Sequence, residues 1–236
     1  MRPNNPKLQI DGILVVDKPA DWTSHDVVAK VRNFFKLKKL GHAGTLDPIA
    51  TGVLVLLSGR ATKSSDKLMA DEKEYLFTIK FGLATDTQDI TGKTICETEN
   101  PSPLSSDEIE KIFEDFRGEV SQIPPMFSAI KVKGKKLYEL GRKGLKIERK
   151  PKIINIRELV LEKLDWPLAT VRAVCSKGTY IRTLCNDIGE KAGCGACMEK
   201  LVRLRSGNYS INQAYQLSEI LKWSPSALKE KVLPIP

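Results

Sequence analysis

Gly41-His42-Ala43-Gly44-Thr45-Leu46-Asp47-Pro48 sets one carboxylate in a loop with glycines at 41, 44 and 52 and a proline directly after it. Glycine lets a backbone turn tightly or approach a ligand, while Pro48 fixes its own φ and holds Asp47 to extended geometry. The interior of a helix or strand rarely tolerates that composition. Local residues leave two readings open: a Gly-rich turn whose Asp caps the next element, or a loop that presents a carboxylate for chemistry.

Working outward, 12–19 reads as a short buried strand entering a turn, and 52–57 as a continuous apolar run suited to a central strand. Ser24 is placed to cap a helix carrying Val27, Val28 and Val31. Residues 74–81 alternate, with Tyr75, Phe77, Ile79 and Phe81 on one face. Asp86, Thr87, Asp89 and Gly92 form a polar turn between two strands, which reads as peripheral. Ser105 and Glu108 make a capping box ahead of Ile109, Ile112, Phe113 and Phe116. Residues 168–175 read as a strand, and 177–184 open a helix whose apolar stripe is Ile181, Leu184, Cys185 and Ile188. Arg182 lies off that stripe. Residues 217–236 read as one helix with Trp223 and a Pro-punctuated end. Long helices and scattered strands without a regular βαβ rhythm predict an α+β fold.

Composition bounds the function. The chain has 236 residues, a net charge of +9 and five cysteines. No apolar run approaches the length that spans a bilayer, and residues 1–6 lack the apolar core of a signal peptide, so a cytoplasmic protein is expected. An odd cysteine count suits reduced, buried thiols. Cys194-x-x-Cys197 lacks the second ligand pair of a structural zinc site, and no metal is expected. Charge is concentrated: 126–157 holds eleven Lys and Arg against Glu139 and Glu148, leaving 27 basic and 27 acidic residues elsewhere. Such a segment neutralises phosphates. Gly134, Gly141 and Gly144 make it flexible, and a nucleic-acid partner is expected to order it.

The 41–48 octet resembles the active-site motif of the bacterial tRNA pseudouridine-55 synthases. Further stretches agree with it: 12–24 around Lys18, Pro19, Thr23 and Ser24; Lys73-Glu74-Tyr75; 124–140; Gly178-Thr179-Tyr180-Ile181-Arg182; and Gly193-Cys194-Gly195-Ala196 with Leu201-Val202-Arg203 through Gly207. Asp21 replaces the family's usual Gly, and Asp tolerates left-handed geometry well enough to keep that turn. Leu204 and Arg205 depart from the pattern, as does Cys197 in place of a commoner Tyr.

The resemblance implies a pseudouridine-synthase fold, with a mixed, mostly antiparallel sheet flanked by helices and loops. Residues 1–210 would be the catalytic domain, 124–152 an RNA-gripping thumb, and 211–236 a short helical extension without the RNA-binding domain that many members add. It implies isomerisation of the T-loop uridine-55 of tRNA by a monomer that uses a carboxylate and no cofactor. Asp47 would be the catalytic group and Arg182 its partner. Substrate would be bound by His42 beside the base, Tyr75 stacking on it, Asp89, Leu201 shielding the site, Lys18, and the thumb cations Lys131, Lys135, Lys136, Arg142 and Lys143. Two rivals stand beside it. A non-catalytic RNA-binding protein explains the charge but leaves Asp47 and Arg182 without a purpose. A nucleoside hydrolase normally wants a second carboxylate, for which Asp86 or Asp89 would have to serve.

Overall fold

The structure is a computed structural model that describes residues 7–235 apart from 129, 133, 142, 143 and 146, with backbone alone at 70, 131, 132, 135 and 136. These residues fall into two compact units, one from 7–75 and 201–235, the other from 76–200.

In the first unit the apolar runs become strands as expected. Gly12–Lys18 pairs antiparallel with Thr51–Ser58 along its whole length, from Gly12 opposite Ser58 to Lys18 opposite Gly52. Its other edge pairs in parallel with Tyr215–Gln216. The far edge of Thr51–Ser58 is shared. Leu40–Ala43 runs antiparallel against residues 55–58, and the Ala196–Ser206 strand runs parallel against Thr51 and Gly52. Ile13, Val15, Ala43, Val53, Val55 and Leu57 meet in one core cluster beneath this sheet, the non-directional burial that drives the unit together.

Ser24–Phe34 is the predicted helix, but its cap is Thr23. Thr23 Oγ1 accepts from the Asp26 N–H, and the Asp26 carboxylate accepts from the Thr23 N–H, a reciprocal box that frees Ser24 for another task. The expected C-terminal helix is instead two short ones, Leu217–Ile220 and Pro225–Lys231. Pro225 has no N–H to continue the first, and Ser224 caps the second. Leu233 then exchanges both backbone hydrogen bonds with Ile13, at 2.9 and 2.8 Å.

The second unit orders its strands Lys73–Phe81, Leu168–Cys175, Lys152–Asp165, Gly118–Gln122, and Lys152–Asp165 is antiparallel to both its neighbours. The Ser106–Glu114 helix, capped by Ser105 and Glu108 as expected, lies against Lys152–Asp165. The short Leu137–Gly141 helix and the longer Ile181–Lys191 helix follow in the chain. The α+β class holds, with a mixed sheet in the first unit. The balance differs from expectation: among the described residues no helix exceeds 11 residues, whereas Lys152–Asp165 runs for 14.

Candidate active site

Asp47 sits half-buried in the turn between Leu40–Ala43 and Thr51–Ser58, and the backbone on both sides of it is tied down. Before it, the buried Ser24 hydroxyl accepts from the Leu46 N–H at 2.8 Å and donates to the Leu46 carbonyl at 3.2 Å. After it, the Pro48 carbonyl accepts from the Asp21 N–H at 2.9 Å and from the Lys18 ammonium at 3.0 Å. Asp21 adopts φ 63° to make this bond, so the residue standing in for glycine holds the left-handed turn.

Lys18 is fully buried, and its ammonium also donates to the carbonyls of Pro19 at 2.7 Å and Trp22 at 2.6 Å. Three acceptors match its three protons. Burial pushes its pKa down to about 8, opposed by the charges of Asp21 and Asp47 and assisted by that of Arg203. Lys18 therefore supports the Asp47 turn from below, holding three carbonyls of the surrounding loops.

Arg203 falls within a matching block of the sequence, yet nothing in the sequence gives it a role. Its side chain is 1% exposed; Nε donates to the Val53 carbonyl at 2.7 Å and Nη2 to the Gly44 carbonyl at 3.0 Å. Gly52 lies beside it at φ 95°, where a Cβ would stand 2.3 Å from the Arg203 carbonyl oxygen. Only glycine fits there. His42 pairs opposite Leu56, and burial, with the charges of Arg203 and His25, holds its imidazole below the ordinary range and so neutral at pH 7. Its Nδ1 is buried without a hydrogen-bond partner among the described residues. Tyr75 and Leu201 are both buried, and next to Tyr75 the Glu74 carboxylate meets Arg205 at 3.2 Å.

The second unit holds Arg182 and Asp89. Arg182 is 5% exposed, unlike an ordinary helix-surface arginine. It donates from Nη2 to the Phe127 carbonyl at 2.8 Å and from Nη1 to the Thr87 carbonyl at 3.3 Å, and stands 3.8 Å from an Asp89 oxygen. Asp89 is buried rather than peripheral. Its carboxylate accepts from the Thr87 hydroxyl at 2.9 Å, the Thr91 N–H at 3.0 Å and the Thr91 hydroxyl at 2.5 Å. Next to Arg182, the Thr183 hydroxyl donates to the Gln88 side-chain oxygen at 2.7 Å, so the acidic turn is tied to the start of the helix.

In the basic segment, Lys131–Val132 and Lys135–Lys136 form a hairpin around Gly134, which takes φ 81°, with Lys131 opposite Lys136. The Leu137–Gly141 helix follows directly. Arg149 donates to the Pro124 carbonyl at 3.1 Å, tying together the two ends of the segment. Arg142 and Lys143 lie outside the described residues, as do the side chains of Lys131, Lys135 and Lys136.

Residues 32–181 match the model of the TruB family pseudouridylate synthase N-terminal domain, and residues 182–235 that of the tRNA pseudouridylate synthase B C-terminal domain. The chain belongs to the TruB family of pseudouridylate synthases. It is 46% identical over 211 residues to the tRNA pseudouridine synthase B of Clostridium tetani (strain Massachusetts / E88), covering 89% of this chain and 73% of that one. To the protein of the same name from Opitutus terrae (strain DSM 11246 / JCM 15787 / PB90-1) it is 40% identical, covering 98% of this chain and 95% of that one. Among solved structures, a Cbf5-Nop10-Gar1 complex superimposes with a TM-score of 0.75 at 25% identity, over 98% of this chain and 66% of that chain. The archaeal box H/ACA sRNP Nop10-Cbf5 complex gives 0.68 at 25% identity, over 93% and 57%. The chain thus spans less than two thirds of the length of those two structures. The α+β fold of the TruB family is the one found here, and no helix among the described residues is long and apolar enough to cross a membrane.

Proposed function

We propose that this chain converts a uridine of tRNA to pseudouridine, at position 55 of the T-loop, with Asp47 as the catalytic carboxylate. The observation that carries the reading is the bracing of the Asp47 turn: Ser24 holds Leu46, while Lys18 and Asp21 hold Pro48. A turn that merely capped the next element would not need two buried side chains to fix it. Positioning of this kind is where much of an enzyme's rate acceleration originates.

The reaction breaks the N1–C1′ bond, rotates the uracil and joins its C5 to C1′; the C5 hydrogen leaves as a proton and N1 gains one. Redox state and water are unchanged, so side chains suffice. An ordinary aspartate is ionised at pH 7. In a pocket closed by a base its charge needs a cation, and Arg182, whose planar fork matches a carboxylate, serves as that partner. Asp89 steadies Arg182. The base is flipped out of its stack, Tyr75 stacks on it, neutral His42 lies beside it without adding charge, and Leu201 shields the site from water.

Residues 1–210 would carry the catalysis and 211–236 would extend it. The thumb, 124–152, grips the T-arm phosphates. The concentration of cations in 126–157 favours this, because such a segment neutralises phosphates and releases their counterions. The protein would work as a cytoplasmic monomer. The test is an unmodified tRNA transcript tritiated at uridine C5. Wild-type protein should release tritium and Asp47→Asn should release none while still binding tRNA. Release by Asp47→Asn would remove Asp47 from the mechanism; free uracil would point to a hydrolase instead.

A further inference from the structure

Arg203 occupies a gap in the first unit's sheet. Along the edge of Thr51–Ser58, pairing with Ala196–Ser206 reaches Gly52, and pairing with Leu40–Ala43 begins at Val55. Val53 lies between, and its carbonyl takes its hydrogen bond from Arg203 Nε. The same guanidinium reaches across the gap to the Gly44 carbonyl, three residues before Asp47. One planar fork therefore joins the fixed strand to the first residue of the turn that carries the carboxylate. Gly44 itself turns at φ 88°, and a Cβ there would approach Arg203 Nη1 to 3.4 Å.

An arginine is a costly way to fill a sheet gap. Among the described residues Arg203 makes no ion pair, and its hydrogen-bond acceptors are two neutral carbonyls. A buried charge with such partners contributes little to stability that an uncharged group would not. What an arginine supplies is rigidity: its donors are held in a fixed plane, whereas a lysine offers a point charge on a flexible stem. Its charge also reaches the site, since both Lys18 and His42 respond to it.

We infer that Arg203 is a positioning residue for pseudouridine formation, acting through the Gly44 carbonyl to set the turn that presents Asp47. The inference rests on Asp47 being the catalytic group. Its test compares the full chain as wild type, Arg203→Lys, Arg203→Met and Asp47→Asn on the tritiated tRNA transcript. Single-turnover rate, tRNA Kd and thermal midpoint are measured for each. Arg203→Lys keeps the charge and a donor but loses the fork, so its single-turnover rate should fall by about 10²-fold, the scale of a small misplacement, with tRNA Kd unchanged. Arg203→Met should fall at least as far; should it fail to fold, Arg203→Lys decides alone. A wild-type rate in Arg203→Lys, with Asp47→Asn inactive, overturns the inference and leaves the function standing. A rate that falls only in step with the folded fraction makes Arg203 structural and also overturns it. Turnover by Asp47→Asn overturns the reading of Asp47, and this inference with it.

Discussion

Ser24→Ala separates the two roles that this segment of sequence can play. The Ser24 hydroxyl is 1% exposed and serves both polar backbone groups of Leu46, at 2.8 Å to the N–H and 3.2 Å to the carbonyl. Alanine removes the oxygen and leaves both groups buried without it. An orphaned buried group costs about 1–3 kcal/mol; taking ~2 for the shorter bond and ~1 for the longer gives a loss of about 3 kcal/mol. Thr23→Ala, one residue earlier, removes only the exposed helix cap and should cost about 1 kcal/mol. Urea unfolding of the two variants, compared at equal m-value, resolves a difference of that size. Turnover divides them more sharply. Ser24→Ala frees the residue before Asp47, so the rate of tritium release should drop by one to two orders of magnitude, roughly the effect of an ångström-scale displacement, whereas Thr23→Ala should match wild type. Equal, cap-sized losses with full activity in both variants would refute the bracing of Asp47 and return Ser24 to an ordinary helix start.

Gly52→Ala should cost more than about 2 kcal/mol, because a left-handed backbone alone costs a Cβ-bearing residue ~1–2 and its Cβ would meet the Arg203 carbonyl at 2.3 Å; a thermal midpoint unchanged from wild type would contradict the parallel pairing. Asp89→Asn keeps the shape and the Thr91 N–H bond but removes the charge facing Arg182, a buried-pair loss of roughly 3 kcal/mol, to be read by chemical denaturation. Lys18 gives a pH dependence of defined sign. Its folded pKa of about 8 lies below the ordinary lysine value of 10.5, so between those values the unfolded chain holds the extra proton and stability rises with pH. Relative to Lys18→Met, wild type should therefore gain ~2 kcal/mol between about pH 7 and about pH 9.5; a gap that moves the other way would reverse the assignment. Neutralising Lys135, Lys136, Arg142 and Lys143 together should flatten the log–log salt dependence of tRNA binding by up to about 3–4, near 0.7–0.9 for each phosphate no longer neutralised, and an unaltered slope would remove the thumb from the interface.

What could be read from the sequence was whatever advertises itself locally. The strands at 12–18 and 51–58 are apolar runs bounded by Gly and Pro, and the 105–108 capping box sits at fixed spacing, so their signals survive without tertiary information. Lys152–Asp165, which only begins in the basic segment, carries no such local signal. Its register with Leu168–Cys175 shifts between Ile156 and Glu158 and again between Leu161 and Lys163, and each shift breaks the two-residue alternation that marks a strand. Ser24 misled because Thr23 and Ser24 are both good caps, and only the position of Leu46 decides between them.

That three cations would be buried could not be read from the sequence, for a common reason. Lys18, Arg203 and Arg182 are cations, and a sequence pattern assigns cations to the surface. Each is instead buried and donates to backbone carbonyls: Pro19, Trp22 and Pro48 for Lys18, Val53 and Gly44 for Arg203, Thr87 and Phe127 for Arg182. A loop rich in Gly and Pro leaves such carbonyls unpaired, and burying them unpaired is expensive. A long cationic side chain answers several at once and brings positive charge close to the loop, as Lys18 does beside Asp21 and Asp47. The loop composition that exposes Asp47 thus creates the demand that Lys18 and Arg203 meet. A glycine-rich acidic loop in a sequence is therefore a reason to look for an arginine or lysine buried beneath it.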